Sequence, residues 1–382
     1  MGAAQVFLWC VTAWWGLASL YAILNRLLIP RLPKSAPDDE PLPSLSVVIP
    51  ARNEASGIEA AVISHCSQDY PNLQVVVCDD GSTDETPQIL AKLQKRFANL
   101  VIVKGTEPLD GWLGKPNAMR EALEAASGEI ILFVDADVRY APGVHRRAAV
   151  EMERGGHDFL LLLSTLEGKG LEPLVTSFLD AFALYSVPTF LANCRLLRWF
   201  AFGAGSGNLV RRETLEAAGG IESIKSEVVD DVALGKKIKG WRGRFRFVTA
   251  FGDVRVRMYP SFKASIHGFT KNLYSAFDRN VLFGSAGFAA DAAVHVAPPL
   301  ALALSAVLPS CSLLFIPALA STAAGFFCNL QVSMWSGQPW WIAFLFPART
   351  AVWIYIFLRS TANYRRSGIS WRGRTYNLGG KR

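Results

Sequence analysis

Hydrophobic and polar positions divide this chain into three kinds of segment. Residues 1–25 carry no charged side chain, and the apolar run from Val6 to Ile29 exceeds the roughly 20 residues that a membrane-spanning helix needs. From Val281 to Leu358 the only fully charged side chains are Asp291 and Arg349. That stretch falls into apolar blocks at about 288–308, 312–334 and 340–358, each near spanning length. Between the two apolar ends, short apolar runs alternate with helix-period segments. "LSVVIP", "LQVVVCD", "NLVIVK" and "EIILFVDAD" read as strands. "EASGIEAAVISHC", "STDETPQILAKLQKRF" and "PNAMREALEAAS" read as helices, the second opened by Ser82 with Glu85 three residues on, a capping-box spacing. Such βαβα order predicts a doubly wound, mostly parallel sheet with ligands at the carboxyl ends of its strands.

The rest of the middle region is less regular. Leu171–Phe202 is apolar but interrupted by Pro173, Asp180, Pro188 and Arg195, which suggests a helix lying on a membrane face. Pro30–Pro43 is proline-rich and polar and reads as a linker. The resulting division is an anchor at 1–29, a linker at 30–44, a cytoplasmic domain at 45–280 with interfacial helices at about 171–202, a transmembrane region at 281–358 and a basic tail at 359–382. Arg26, Arg31 and Lys34 follow the first apolar run, so the positive-inside rule places the N-terminus outside and the domain in the cytoplasm, on an inner membrane crossed several times. A signal peptide is disfavoured, because a basic leading region and a small-residue cleavage site are both missing. Three C-terminal crossings would put the tail outside; two crossings with a re-entrant or interfacial block keep it inside, which the rule favours.

Composition changes this picture little. Of the 382 residues, 51% are hydrophobic, in keeping with a membrane portion. The net charge of +7 equals the seven basic residues after Leu358, so the remainder is balanced. A basic juxtamembrane tail suits anionic headgroups, and no nucleic-acid partner is expected. Trp371 and Tyr376 with Arg372 and Arg374 fit an interfacial anchor. Six scattered cysteines without a C-x-x-C pair read as reduced thiols.

Candidate chemistry lies in acids at strand ends and loops: Glu54, Asp79 with Asp80, Asp135 with Asp137, and Asp230 with Asp231. Two carboxylates one residue apart after a buried strand can hold a divalent cation, Mg²⁺ or Mn²⁺, that takes its remaining ligands from a diphosphate. No zinc spacing accompanies His267 or His295, and a lone histidine is commonly structural. Ser206 lacks the strand, elbow and triad context of a hydrolase nucleophile. Gly203, Gly205 and Gly207 would let backbone approach a ligand.

The motifs "VVIPARNEA", "VVVCDDGSTDET", "GWLGKPNAM", "ILFVDADV", "GSGNLVRRETLEAAGG" and "VVDDVALGKKIKGWRGR", in that order over about residues 45–280, resemble glycosyltransferase family 2. The resemblance implies an α/β fold of GT-A type, a Rossmann-like nucleotide-sugar-binding domain here flanked by transmembrane helices. It implies that Pro50 to Glu54, Ala51 among them, line the nucleotide pocket with Glu54 near the base or ribose, that Asp79 meets the uracil imide, that Asp80 supports the ribose and that Lys115 reaches the nucleotide. It further implies that Asp135 and Asp137 bind metal, Asp135 also serving the ribose, and that Asp231 is the general base, with Asp230 its rival. The Q-x-x-R-W motif of processive synthases is missing. "RVRMYPSFKASIHGFTKNLYSAF" instead resembles lipid-modifying members, the ceramide, carotenoid and hopanoid-associated enzymes, so Lys271 or His267 would serve the diphosphate; Lys271 could equally be a solvated lysine on an amphipathic helix.

The expected function is inverting transfer of a sugar from a nucleotide diphosphate, expected to be UDP-linked, to a membrane lipid. The alternatives are a polyprenyl-phosphate sugar synthase, a non-catalytic membrane scaffold and, less favoured by the scarcity of charge in the apolar blocks, a transporter.

Overall fold

A computed structural model describes residues 2–37, 40–277, 280–367, 369–371 and 374–376. Arg372, Lys381 and Arg382 of the basic tail lie outside the described residues. The chain forms two compact units, one comprising Leu28–Thr165 and Phe190–Arg257, the other Met1–Leu27, Leu166–Thr189 and Met258–Arg382.

The first unit is a mixed α/β layer structure. Its strands in chain order are β1 (Leu45–Ala51), β2 (Leu73–Asp79), β3 (Leu100–Lys104), β4 (Ile130–Phe133), β5 (Val138–Tyr140), β6 (Phe159–Leu163), β7 (Thr165–Leu166), β8 (Asn208–Arg211), β9 (Phe245–Thr249) and β10 (Val254–Val256). Seven of them make one sheet in the order β3-β2-β1-β4-β8-β6-β9. β1 pairs in parallel with both β2 and β4, and every residue of β1 and β4 is buried. This explains the unbroken apolar runs: a central parallel strand is covered on both faces. The expectation of a mostly parallel sheet holds for β3-β2-β1-β4 and for β6-β9, but β8 runs antiparallel to both β4 and β6. β1, between β2 and β4, is where strand order turns back, and a crevice opens beyond its carboxyl end. Pro50 is tolerated in this central strand because pairing with β4 stops at Val48↔Phe133, leaving no partner there for an N–H that proline lacks.

Two predicted details change. The helix after β2 spans Thr86–Arg96, with Glu85 rather than Ser82 at its N-cap. Ser82 instead braces the neighbouring loop: its hydroxyl accepts from Asn53 N at 2.9 Å, while its own N–H donates to Asp79 Oδ1 at 3.0 Å. Leu171–Phe202 is not one continuous helix but contains an α-helix (Pro173–Ala181), a π-helical turn (Phe182–Ser186) and a 3₁₀ turn (Thr189–Asn193).

Among the described residues of the second unit, three helices are long and apolar enough to cross a membrane: Ala3–Leu28, whose last residue belongs to the first unit, Pro309–Ser336 and Trp340–Asn363. Val281–His295 and Ala297–Val307 qualify together but bend by 41° at their junction. Val175, Leu273, Tyr274, Phe288, Trp353, Ile356 and Phe357 form a buried cluster, and Trp353 Nε1 donates to Val175 O at 3.0 Å. Several polar groups among these helices pair with one another, which lowers the cost of burying them. Buried Arg349 donates to Tyr185 Oη and Asn329 Oδ1, both at 2.9 Å, and Tyr185 Oη lies 3.1 Å from His295 Nε2. His295 Nδ1 in turn lies 3.1 Å from Asp291 Oδ1. His295 is thus a satisfied structural residue, as expected of an isolated histidine in an apolar block.

Candidate active site

The loop after β4 turns sharply, Val138 N donating to Asp135 O at 3.3 Å, and so presents Asp135 at the sheet edge. Two elements converge on it. The helix Gly114–Glu124 begins beside it and carries Lys115 in its first turn; the helix Asp230–Gly240 brings Asp230 and Asp231 at its N-terminus, where the backbone dipole favours negative charge. Lys115 Nζ bridges the two sides, 2.8 Å from Asp135 Oδ1 and 3.1 Å from Asp230 Oδ1.

Electrostatics tie the four groups together. Burial works against the charge on Lys115, but Asp135, Asp230 and Asp231 more than offset it and hold the ammonium well above the ordinary lysine range. Burial pushes Asp230 up to about 6 even though Lys115 opposes the shift, with Asp231 and Asp135 adding repulsion. Burial likewise raises Asp231, against the pull of Lys115. The Asp231 carboxylate accepts from Val232 N at 2.7 Å and from the Gly205 backbone. Asp230 is committed to the lysine, which leaves Asp231 the better placed of the two to take a proton.

Pro50, Met119, Phe133, Val134, Gly205 and Asn208 complete a small cleft around Lys115, Asp135, Asp230 and Asp231. The glycines after Phe202 pack closely against the residues around this cleft. A Cβ at Gly203 would lie 1.8 Å from Asp231 O, one at Gly205 2.0 Å from Asp135 Oδ2, and one at Gly207 2.1 Å from Tyr140 Oη. Ser206 donates to Leu162 O at 2.7 Å and accepts from Tyr140 Oη through its carbonyl at 2.9 Å, so it is structural.

Other sequence-named residues line the neighbouring edge. Ala51 pairs with Asp79 at the ends of β1 and β2. Asp80 is fully buried, and Arg52 donates to its carbonyl while its carboxylate lies 3.6 Å from Arg52 Nη1; a role at a ribose therefore competes with an internal pair. Glu54 is held through its N–H, donated to Thr86 Oγ1 at 2.9 Å. Asp137 stands against Gly57, its backbone carbonyl accepting from Arg257 N at 3.5 Å. Lys271 and His267 lie on the helix Phe262–Ala276 of the second unit. Sequence reading gave Asn208 no role, although it sits inside the quoted motif "GSGN", and took Arg52 only as part of the pocket wall from Pro50 to Glu54, not as the partner of Asp80. Asn208 buttresses the cluster, accepting from Ala204 N at 3.3 Å.

A divalent ion fits this donor set in one manner. Among the described residues no group of three or more Asp, Glu, His or Cys side chains forms a closed cage. One or two carboxylates with open positions are instead what a magnesium-type ion uses when a diphosphate supplies the rest; of the expected pair, Asp135 lines the cleft and Asp137 stands against Gly57.

Comparison with known proteins supplies the family. The family model described as Glycosyl transferase family 21 matches residues 11–382, where the quoted motifs resemble family 2. Beta-monoglucosyldiacylglycerol synthase of Nostoc sp. is 29% identical over 232 residues, 58% of this chain and 44% of that protein. The 4,4'-diaponeurosporenoate glycosyltransferase of Staphylococcus aureus is 30% identical over 246 residues, 60% of each. The chain thus spans about half the length of the curated relatives it matches. A mannosyltransferase from Pyrobaculum calidifontis, solved with GDP-Man and Mn²⁺, superposes with a TM-score of 0.53 at 21% identity, over 93% of this chain and 99% of that one, so the two share a fold.

Proposed function

Since this chain belongs to glycosyl transferase family 21, we propose that it moves a sugar from a nucleotide diphosphate to a membrane lipid, with the GT-A crevice beyond β1, β2 and β4 as its donor site. The observation that carries this reading is the Lys115 bridge between Asp135 and Asp230, with Asp231 beside it, at the point where strand order reverses. Such a cluster answers both needs of the reaction: positive charge for a departing diphosphate and a carboxylate for the acceptor proton.

In this reading Pro50, Ala51 and Glu54 flank the nucleotide, and Asp79 meets the base, expected to be uracil. Asp135 and Asp137 would hold Mg²⁺ or Mn²⁺, which would supply charge neutralisation at the diphosphate. Lys115 brings positive charge to the departing diphosphate. Asp231 takes the proton from the acceptor oxygen as that oxygen bonds to the anomeric carbon. The bond from that carbon to the phosphate oxygen breaks on the opposite side, its electron pair leaving with the nucleoside diphosphate, so the configuration inverts. Asp230 keeps Lys115 in place and is a positioning residue. In this reading the unit faces the cytoplasm, where nucleotide sugars are available, an orientation supported by Arg26, Arg31 and Lys34 after the first apolar run.

The lipid acceptor is supported by the apolar helices and by the names of the two relatives, one a monoglucosyldiacylglycerol synthase and the other a diaponeurosporenoate glycosyltransferase. The test is incubation of purified full chain with labelled UDP- and GDP-sugars and separate lipid pools. Glycosylated lipid from a UDP-sugar is expected, and Asp231→Asn should lower transfer by about 10²-fold or more while nucleotide binding persists. Product on polyprenyl phosphate alone would replace the acceptor assignment. An Asp231→Asn chain that fully restores cellular function would favour the scaffold.

A further inference from the structure

The stretch from Ala181 to Arg212 contains no Asp or Glu, yet it includes Arg195, Arg198, Arg211 and Arg212. In its middle, Leu196 is 89% exposed and Trp199 74% exposed, with exposed Arg195 and Arg198 interleaved. Neither of those two guanidiniums pairs with a carboxylate among the described residues. Large apolar side chains standing this far out, rimmed by like charge, mark a surface that meets something apolar and anionic.

The segment is held out by the fold rather than hanging from it. Successive turns run Cys194 N to Leu191 O at 2.9 Å, Leu197 N to Cys194 O at 3.3 Å and Phe200 N to Leu197 O at 3.1 Å. From beneath, the buried Lys239 ammonium donates to Ala192 O at 2.6 Å and Phe200 O at 2.7 Å. Asn193 exchanges two hydrogen bonds with the Phe247 backbone, at 3.0 and 2.7 Å.

We propose that Cys194–Phe200 is a bilayer-docking loop: Leu196 and Trp199 enter the boundary between headgroups and acyl chains, while Arg195 and Arg198 rest on anionic headgroup phosphates. An aromatic ring with a polar N–H prefers that depth, and each basic residue adds about 1 kcal/mol at an anionic surface. A bilayer suits the loop better than a protein partner. The surface is acid-free, and the chain enters this unit directly from the apolar helix Ala3–Leu28, which keeps lipid at hand. Three residues beyond Phe200, Gly203 begins the backbone that abuts Asp231 and Asp135, so docking also steadies the floor of the cleft. Its consequence for acceptor use rests on the proposed function; the docking itself does not.

The experiment places the full chain in nanodiscs of phosphatidylcholine with or without phosphatidylglycerol, without donor or acceptor. Subtracting the fluorescence of Trp199→Phe isolates the Trp199 signal. Brominated acyl chains should quench that signal and acrylamide should not, more completely with phosphatidylglycerol; Arg195→Gln with Arg198→Gln should abolish the lipid dependence. Quenching by acrylamide but not bromolipid overturns the proposal, and protection from both overturns it in favour of a protein partner. In the second arm, Leu196→Ser with Trp199→Ser should raise the KM for lipid about tenfold with nucleotide binding unchanged. An unchanged KM overturns the link to acceptor use. Because quenching is read without turnover, a failure of the transfer assignment leaves the docking result interpretable.

Discussion

At the scale of single residues, two glycines in the same loop should fail differently when given a methyl group. The Cβ of Gly203→Ala would meet a main-chain oxygen, Asp231 O, at 1.8 Å, and no rotamer can relieve a clash with backbone. This change should cost about 1–3 kcal/mol of stability, read as a lower melting temperature. The Cβ of Gly205→Ala would meet the Asp135 carboxylate at 2.0 Å, and that side chain can swing aside. It should therefore leave stability near the parent's while lowering sugar transfer by about 10²-fold, because the displaced carboxylate no longer faces Lys115. Equal stability losses in both variants, or full activity in Gly205→Ala, would show that Asp135 is not held by this contact. The acids themselves were legible in the sequence, since Asp135 and Asp79 terminate unmistakable apolar strands. Their shared partner was not: Lys115 lies 20 residues from Asp135 and 115 from Asp230 in the chain, and no local spacing encodes a bridge between elements brought together only by folding.

At the scale of elements, the helix Asp230–Gly240 links chemistry at one end to the exposed loop at the other. Its N-terminus carries Asp230 and Asp231; its last turn carries Lys239, only 3% exposed, whose ammonium burial holds below the ordinary lysine range. Lys239→Met keeps an unbranched apolar stem and removes the ammonium that makes both hydrogen bonds, stranding Ala192 O and Phe200 O. Two orphaned buried carbonyls should destabilise the unit by about 2–3 kcal/mol. Hydrogen exchange should rise across residues 191–203 and much less in β1 and β2; unaltered exchange in that segment would refute the link. Element existence was readable wherever an apolar run had to be buried on both faces, as in β1, β2 and β4. Strand direction was not, because "NLVR" presents the same apolar pattern whether it runs with β4 or against it, as it does. The helix start at Thr86 was misplaced for a related reason. Ser82 and Glu85 have capping-box spacing, but the demand of the Asn53 backbone for an acceptor won the Ser82 hydroxyl.

At the scale of the whole chain, contacts inside the helical unit bear on where the tail lies. Gln5 Nε2 donates to Leu313 O at 3.0 Å, and Gly325 packs against Trp15, so Ala3–Leu28 and Phe315–Ser336 run in the same direction. If the first helix enters from outside, the orientation expected from Arg26, Arg31 and Lys34, the second ends inside, where Gln338 donates to Asp180 Oδ2 and Leu166 O. The bent pair Val281–Val307 then carries the chain outward, with its 41° kink where Pro298 and Pro299 interrupt the hydrogen-bond ladder. The last helix, Phe346–Ser367, runs antiparallel to Val281–His295: Thr350 bonds to Asp291, Phe357 abuts Gly284, and Ser360 accepts from Tyr274 N, each contact nearer the start of that outward crossing. Although Trp340–Asn363 is long and apolar enough to span, these contacts turn it back toward the side from which Val281–His295 departs. The tail should therefore be cytoplasmic, with Trp340–Leu345 re-entrant, which also satisfies the excess of basic residues after Leu358. Single cysteines in a cysteine-free background, labelled with a membrane-impermeant maleimide, decide the matter. Leu313→Cys should react from outside in intact cells, whereas Ala362→Cys should react only after the membrane is opened. Labelling of Ala362→Cys in intact cells would mean that the last helix crosses, and that the charge rule and the helix contacts both mislead for this chain.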